Sequence, residues 1–273
     1  MKLDKKVAVV TGAAGGLGKA IALAYADAGA KLVVCDINTT ALEVTRAEIE
    51  SRNAECLALH CDVGSSSAVA NLFEQVDAHF GTVHVLVNNA AVIPSQPVDE
   101  QRRLQHYAYL TTPQPRHTLG FTSSMTDDDW HRFWDVNVHG VFYCTREALK
   151  RMEPQGDGKV INIASIAGLA ALSAHSPHYS ATKGAVVAFT RSVAAEVAGA
   201  NIFVNAIAPG GVHTDHFEAL LQGIGEEKRN QLFQLVPLGR LGTPEEYASL
   251  AVYLAADGHY IAGQIISPNG GMF

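Results

Sequence analysis

Tyr179-Ser180-Ala181-Thr182-Lys183 sets a phenol and an ammonium in an i, i+4 relation. On a helix that spacing puts both on one face, a turn apart. A free tyrosine titrates near ~10 and is a poor base at neutral pH. An adjacent ammonium stabilises the phenolate and is expected to lower that value. The pair therefore suits proton exchange with an alcohol or ketone oxygen. Such a pair is common in sequences and gains meaning only from its company. Ser165 supplies part of that company, because the pattern sets it at the end of a strand, where it can donate to the same oxygen. His175 and His178 are rival bases, expected instead to line the pocket or its rim.

A second group lies near the start. The run Val7 to Val10 leads into Thr11-Gly12-Ala13-Ala14-Gly15-Gly16-Leu17-Gly18, after which a helical pattern begins. Glycines between strand and helix allow a tight turn and let backbone amides approach a pyrophosphate, and the helix N-terminus adds positive partial charge. Asp36 closes the next strand, at the spacing where a carboxylate would accept from both hydroxyls of an adenosine ribose. It would also repel a 2′-phosphate, and the loop has no basic residue to pair with one. The expected cofactor is NAD, not NADP.

Both groups need elements to position them. Seven short apolar runs alternate with helical stretches: Val7 to Val10, Lys31 to Cys35, Cys56 to His60, Val83 to Val87, Lys159 to Ala164, Ile202 to Ala206 and Gln264 to Ser267. Near-continuous apolar runs fit parallel strands buried on both faces. The intervening helices are expected at Lys19 to Ala28, Ala41 to Arg52, Ser67 to Phe80, Asp127 to Met152, Tyr179 to Val197 and Pro244 to Ala255. The alternation predicts an α/β fold, a doubly wound parallel sheet of seven strands between two helical layers, as one domain over residues 1–273. One stretch breaks the rhythm. Pro94 to Thr122 lacks clear periodicity and holds prolines at 94, 97, 113 and 115, so it reads as a long loop. Thr126 then caps a helix, and Asp127 to Asp129 favour its positive end; the acidic run is capping, not a metal site.

Composition narrows the classes. Of 273 residues, 48% are hydrophobic and 17% charged, which suits a large buried core. A net charge of -7 and the lack of a basic run argue against nucleic-acid binding. No apolar run is long enough for a membrane span, and no signal-peptide pattern opens the chain. Cys35, Cys56, Cys61 and Cys144 show no paired metal spacing and suit a reducing cytoplasm.

Taken jointly and in order, several motifs resemble those of the short-chain dehydrogenase/reductase family. They are Thr11-Gly12-x-x-x-Gly16-x-Gly18, Asn88-Asn89-Ala90, Asn137, Ser165, Tyr179-x-x-x-Lys183 and Pro209-Gly210-x-Val212-x-Thr214, and they cover nearly the whole chain. The resemblance implies a catalytic set of Asn137, Ser165, Tyr179 and Lys183, with Asn137 holding a water in a proton relay. It implies that Gly12, Gly16, Leu17 and Gly18 cradle the pyrophosphate and that Asp62 and Val63 meet the adenine. Asn88, Asn89, Ala90 and Lys183 would hold the fold and the nicotinamide ribose. Pro209, Gly210, Val212 and Thr214 would flank the nicotinamide and its carboxamide. It also implies a homotetramer, with Gly270 to Phe273 reaching a subunit contact.

Three departures stand out. Ala91 replaces a glycine, the interval from Ser165 to Tyr179 is a residue longer than usual and bulges Leu172 to His178, and residues 94–122 form an insertion. That insertion follows the strand facing the nicotinamide, so Arg102, Arg103, His106, Tyr107, Arg116 and His117 could meet a polar or anionic substrate, or a neighbouring subunit. Residues 213–236 resemble a substrate loop, with Phe217, Leu220, Leu221, Phe233 and Leu235 as its closing face. The expected substrate is a secondary alcohol or ketone, cyclic or polyhydroxylated. A 3-oxoacyl-carrier-protein reductase shares the tetrad, but Asp36 and the acidic balance disfavour it. A sugar-nucleotide epimerase would show another glycine spacing. A non-catalytic NAD-binding regulator, or a scaffold, would have no need of Ser165, Tyr179 and Lys183 together.

Overall fold

The computed structural model describes residues 2–171, 173–214, 217–218, 226–234 and 236–273. Seven parallel strands form one sheet in the order β3-β2-β1-β4-β5-β6-β7. The strands are β1 (Val7–Thr11), β2 (Lys31–Asp36), β3 (Cys56–His60), β4 (Val85–Asn88), β5 (Gly158–Ile163), β6 (Ile202–Ile207) and β7 (Ile265–Ile266). Every residue of β1, β4 and β5 is buried, because the central strands are covered on both sides. Chain order reverses direction across the sheet between β1 and β4, and a ligand crevice opens at the strand carboxyl ends there.

Successive residues of a strand point to opposite faces, so each strand feeds two cores. On one face Ala8, Val10, Leu32, Val34 and Ile161 pack under α1 (Gly16–Asp27), α2 (Thr39–Glu50) and the last helix (Pro244–Ala256). Tyr25 of α1 is fully buried there and donates to the Ala251 carbonyl at 3.1 Å. On the other face Val7, Val9, Val33, Leu86 and Val160 pack under α3 (Ser66–Phe80), α6 (Val141–Gln155) and α7 (Pro177–Val197). The result is the expected three-layer, doubly wound arrangement. No helix among the described residues is long and apolar enough to cross a membrane.

Two regions differ from expectation. Much of the stretch read as a loop is a helix, α4 (Pro97–Thr111), opened by the Asp99 carboxylate accepting from the Gln96 amide at 3.1 Å, with Pro97 in its first turn. Its buried residues are Asp99, Arg102 and His106, whereas Val98, Leu104 and Leu110 are exposed. An inverted helix of this kind carries no apolar stripe, which is why hydrophobic periodicity misses it. The long helix expected from Asp127 is α5 (Asp127–Trp134), then a π-helical stretch (Asp135–Gly140), then α6. Thr126 does cap it, accepting from the Asp129 amide at 3.2 Å. Leu172, Leu220, Leu221 and Leu235 lie outside the described residues. Of the expected substrate loop, Phe217 and α8 (Glu226–Gln234) are described.

The 3-10 turn Ile166–Gly168 carries Ser165 against α7, and a Cβ on Gly168 would sit 2.6 Å from the Lys183 carbonyl carbon. That is backbone against backbone and cannot be relieved by a rotamer. Gly168→Ala should therefore lower stability by about 1–3 kcal/mol. Urea unfolding checks this as a reduced midpoint at unchanged slope.

Candidate active site

The glycine loop is shaped by close approach. Gly12 has φ +65, and a Cβ there would lie 2.7 Å from Ala90 Cα. The loop is pinned from both sides: the Asn89 side-chain amide donates to the Thr11 and Gly12 carbonyls at 3.0 and 2.9 Å. Thr11 Oγ1 accepts from the Asn89 and Ala90 amides, at 3.0 Å each. Gly15 caps α1 without a side-chain bond, and no acidic residue stands in the first turn. The positive end of α1 is thus left open toward the cleft, as an anion requires. Leu17 and Gly18 continue into α1, with Gly18 buried against the loop. Asp36 receives the Ala14 amide on one oxygen at 3.0 Å and the Asn38 amide on the other at 2.9 Å. It faces a cavity of about 360 Å³ with Gly12, Gly15, Asp62, Val63, Asn89 and Ala90.

That cavity shares Asn89, Ala91 and Ile93 with a second of about 340 Å³. The second is lined by Leu17, Ser165, Tyr179, Lys183, Pro209, Gly210, Val212 and Thr214, together with Phe217 from the expected substrate loop. Residues from distant parts of the chain thus border two adjoining cavities that together reach from the glycine loop to Tyr179. Gly16 lies beside Thr214, whose γ-methyl would be 3.7 Å from a Cβ placed there.

Ser165 follows β5 by two residues and caps the 3-10 turn, its hydroxyl accepting from the Ala167 amide at 3.1 Å. Tyr179 stands in the first turn of α7, with Lys183 one turn on. Here the expected electrostatics are not found. Burial raises the Tyr179 pKa, and Ser165 opposes that rise. Lys183 does not touch the phenol: its Nζ lies 5.8 Å from the ring centroid and donates to the Ile163 carbonyl at 2.8 Å. Its ammonium is buried, which lowers its pKa to about 8. With the ammonium bonded to a carbonyl and making no hydrogen bond to the phenol, burial outweighs the Ser165 hydrogen bond and sets the direction of the Tyr179 shift.

Asn137 lies in the π-helical stretch and is fully buried. Its amide nitrogen donates to the Val92 carbonyl at 3.0 Å and to Thr182 Oγ1 at 3.2 Å, and its oxygen accepts from the Val92 amide at 2.7 Å. Both amide hydrogens are committed to protein, so the side chain positions the segment after β4 against α7. Asn88 acts likewise, donating to Thr145 at 3.0 Å and to Asn162 at 2.8 Å. Asn162 then donates to Thr190 at 2.9 Å. Asn162, Thr145, Thr182 and Thr190 were not singled out from the sequence. The available signal was an Asn inside the buried run Val160-Ile161-Asn162-Ile163, since a buried amide must find partners.

The two histidines separate. His175 lines the second cavity, and burial together with the cationic Arg103 lowers its pKa to about 3. His178 is instead fully buried under Phe133, ring centroids 3.9 Å apart, and burial lowers its pKa too. Its Nε2 and Arg102 Nη1 each lie 4.0 Å from Asp99 Oδ1, in a buried charged cluster beneath α4 where neither atom has a hydrogen-bond partner among the described residues. From the former loop, Arg103 and Tyr107 line the second cavity. Arg102 and His106 are buried, while Arg116 lies over the Tyr109 ring and His117 meets that ring edge-on, neither lining the cavity.

A crevice at the strand ends, with a glycine cradle at one end and at the other a Tyr–Lys–Ser group of which Lys183 is buried and Ser165 and Tyr179 half-buried, defines an oxidoreductase built around a dinucleotide. Comparison with known proteins gives the family. The short chain dehydrogenase family model matches residues 6–224. A 3-oxoacyl-(acyl-carrier-protein) reductase of Synechocystis sp. is 36% identical over 273 residues, covering 99% of this chain and 98% of that one. The cis-4-hydroxycyclohexanecarboxylate dehydrogenase of Sinomonas cyclohexanicum is 34% identical over 268 residues, covering 98% and 96%. Among solved structures, 7α-hydroxysteroid dehydrogenase complexed with NADH and 7-oxo glycochenodeoxycholic acid superposes with a TM-score of 0.82, at 31% identity over 98% of this chain and 94% of that one. The chain belongs to the short-chain dehydrogenase/reductase family, oxidoreductases that act on CH–OH or keto groups with a nicotinamide cofactor.

The Lys183 shift has a sign that can be measured. Its folded pKa, about 8, lies below the unfolded value of 10.5, so between those values the folded chain binds fewer protons. Stability therefore rises with pH across that window, and the full burial penalty applies below pH 8. Urea unfolding of wild type and Lys183→Met at about pH 7 and about pH 10 should show wild type gaining on the variant at the higher pH.

Proposed function

We propose that this protein interconverts a secondary alcohol and its ketone with NAD(H), with Tyr179 exchanging the hydroxyl proton. The observation that carries this reading is that Ser165, Tyr179 and Lys183 border the same cavity, which adjoins that of the glycine cradle and Asp36 through Asn89, Ala91 and Ile93. When bound, the nicotinamide supplies a hydride acceptor, or a donor in the reverse direction. Tyr179, as phenolate, removes the hydroxyl proton while hydride leaves the carbinol carbon. Ser165 donates to the same oxygen and lowers the phenol pKa that burial raises. Lys183 holds the end of β5 through Ile163, and Asn137 holds Val92 and Thr182 in register with the phenol. Pro209, Gly210, Val212 and Thr214 line the same cavity and are the residues to meet the nicotinamide ring.

Tyr179→Phe should lower turnover by about 10²–10⁴-fold while leaving nucleotide binding, followed by fluorescence titration, intact. Retained activity would defeat the mechanism.

NAD is preferred to NADP in this reading because the Asp36 carboxylate faces the adenosine end of the crevice and would repel a 2′-phosphate. The alcohol is assigned as cyclic or polyhydroxylated, a reading supported by likeness to a hydroxycyclohexanecarboxylate dehydrogenase. A second reading, ketoreduction of a carrier-bound 3-oxoacyl chain, is favoured by the likeness to the Synechocystis reductase. One kinetic comparison separates them. Cyclic alcohols with NAD should give the higher kcat/KM; faster acetoacetyl-carrier reduction with NADPH would establish the second reading and overturn the Asp36 argument.

A further inference from the structure

Helix α4 presents two different faces. Asp99, Arg102 and His106 point into the protein, whereas Arg103 and Tyr107, one turn apart, reach the cavity that holds Ser165 and Tyr179. Arg103 Nη2 donates to the Pro94 carbonyl at 2.7 Å, which orients the guanidinium and uses one of its five hydrogens. Arg102 beside it has Asp99, but among the described residues no carboxylate is paired with Arg103. No Asp or Glu appears among the described residues lining that cavity either. The guanidinium is half-buried, so its charge is only partly met by solvent. Tyr107, its phenol kept protonated by burial, adds a neutral donor beside it. The same cavity is also lined by apolar Ile93, Ile163 and Phe217, suited to a short hydrocarbon frame.

We infer that Arg103, with Tyr107 beside it, is a carboxylate-binding subsite, and that the substrate is a hydroxy acid or the corresponding keto acid. A carboxylate matches the planar fork of a guanidinium with two parallel hydrogen bonds. The inference rests on the alcohol–ketone reading above and deepens it. In turnover the carbinol carbon would give its hydride to a bound oxidised nicotinamide and the hydroxyl its proton to Tyr179, and the carboxylate would be carried through unchanged. His175 forms a neutral wall of the same pocket and contributes no competing charge.

The test uses cyclic and linear hydroxy acids, each paired with its methyl ester, on wild type, Arg103→Met and Arg103→Lys. Wild type should favour acids, and Arg103→Met should reduce the acid-to-ester ratio of kcat/KM by about 10–100-fold. Arg103→Lys should fall between, since a point charge replaces a fork. Calorimetry with cyclohexanecarboxylate, which has no hydroxyl to oxidise, should show binding to wild type and its loss in Arg103→Met. An unmoved acid-to-ester ratio would overturn the inference, because a guanidinium that only tethers Pro94 affects both substrates alike. Absence of turnover on every alcohol and ketone would defeat the reaction reading instead, and the calorimetric arm would still decide the subsite.

Discussion

A chain of buried side-chain hydrogen bonds runs across the middle of this protein, from Thr145 of α6 through Asn88 of β4 and Asn162 of β5 to Thr190 of α7. Each member is almost fully shielded from water, so each must be satisfied internally or cost about 1–3 kcal/mol. Apolar packing alone would hold these elements together while tolerating small slips. Directional bonds between two central strands and two helices allow one register only. The Lys183 bond to Ile163 extends the same constraint to the carboxyl edge of the sheet, where Tyr179 stands.

The positions of the reacting groups follow from that frame. Tyr179 is the third residue of α7, and Ser165 lies in the turn that α7 packs against through Gly168. Asn137 adds a third tie by crossing from the π-helical stretch to both Val92 and Thr182. The π-helical stretch interrupts what would otherwise be one continuous helix, and such interruptions frequently mark functional sites. Burial has an electrostatic consequence as well. It pushes the Tyr179 phenol up and lowers the Lys183 ammonium to about 8, so each group is shifted towards its neutral form.

Around this shared frame, α4 is the part that differs most in kind. It is held by charged and polar residues facing inward, with Asp99 between Arg102 and His178, and with His106 beside His175, nitrogens 3.4 Å apart. Such a helix is poorly specified by the hydrophobic effect and depends on matching partners already in place on α7 and the loop before it. In return it sets a guanidinium and a phenol in the wall of the pocket. The two ends of the crevice thus differ in character: open amides and Asp36 at one, a cationic wall at the other.

The strands and most helices were legible in the sequence because each leaves a local mark: buried apolar runs, a strand–glycine–helix junction, and Thr126 before three acids. The positions of Gly12, Asp36, Ser165, Tyr179 and Lys183 could be read for the same reason, as spacing within or beside single elements. The helix over Pro97–Thr111 could not, since its inward face is polar and periodicity reports only apolar burial. Nor could the separation of His175, which lines the cavity, from His178, which lies under Phe133. The Tyr179–Lys183 spacing promised a direct charge contact, yet the ammonium bonds a carbonyl contributed by β5, twenty residues earlier in the chain. Local spacing determines which side chains share a face. Which partner each one meets is decided by elements that only the folded chain brings near.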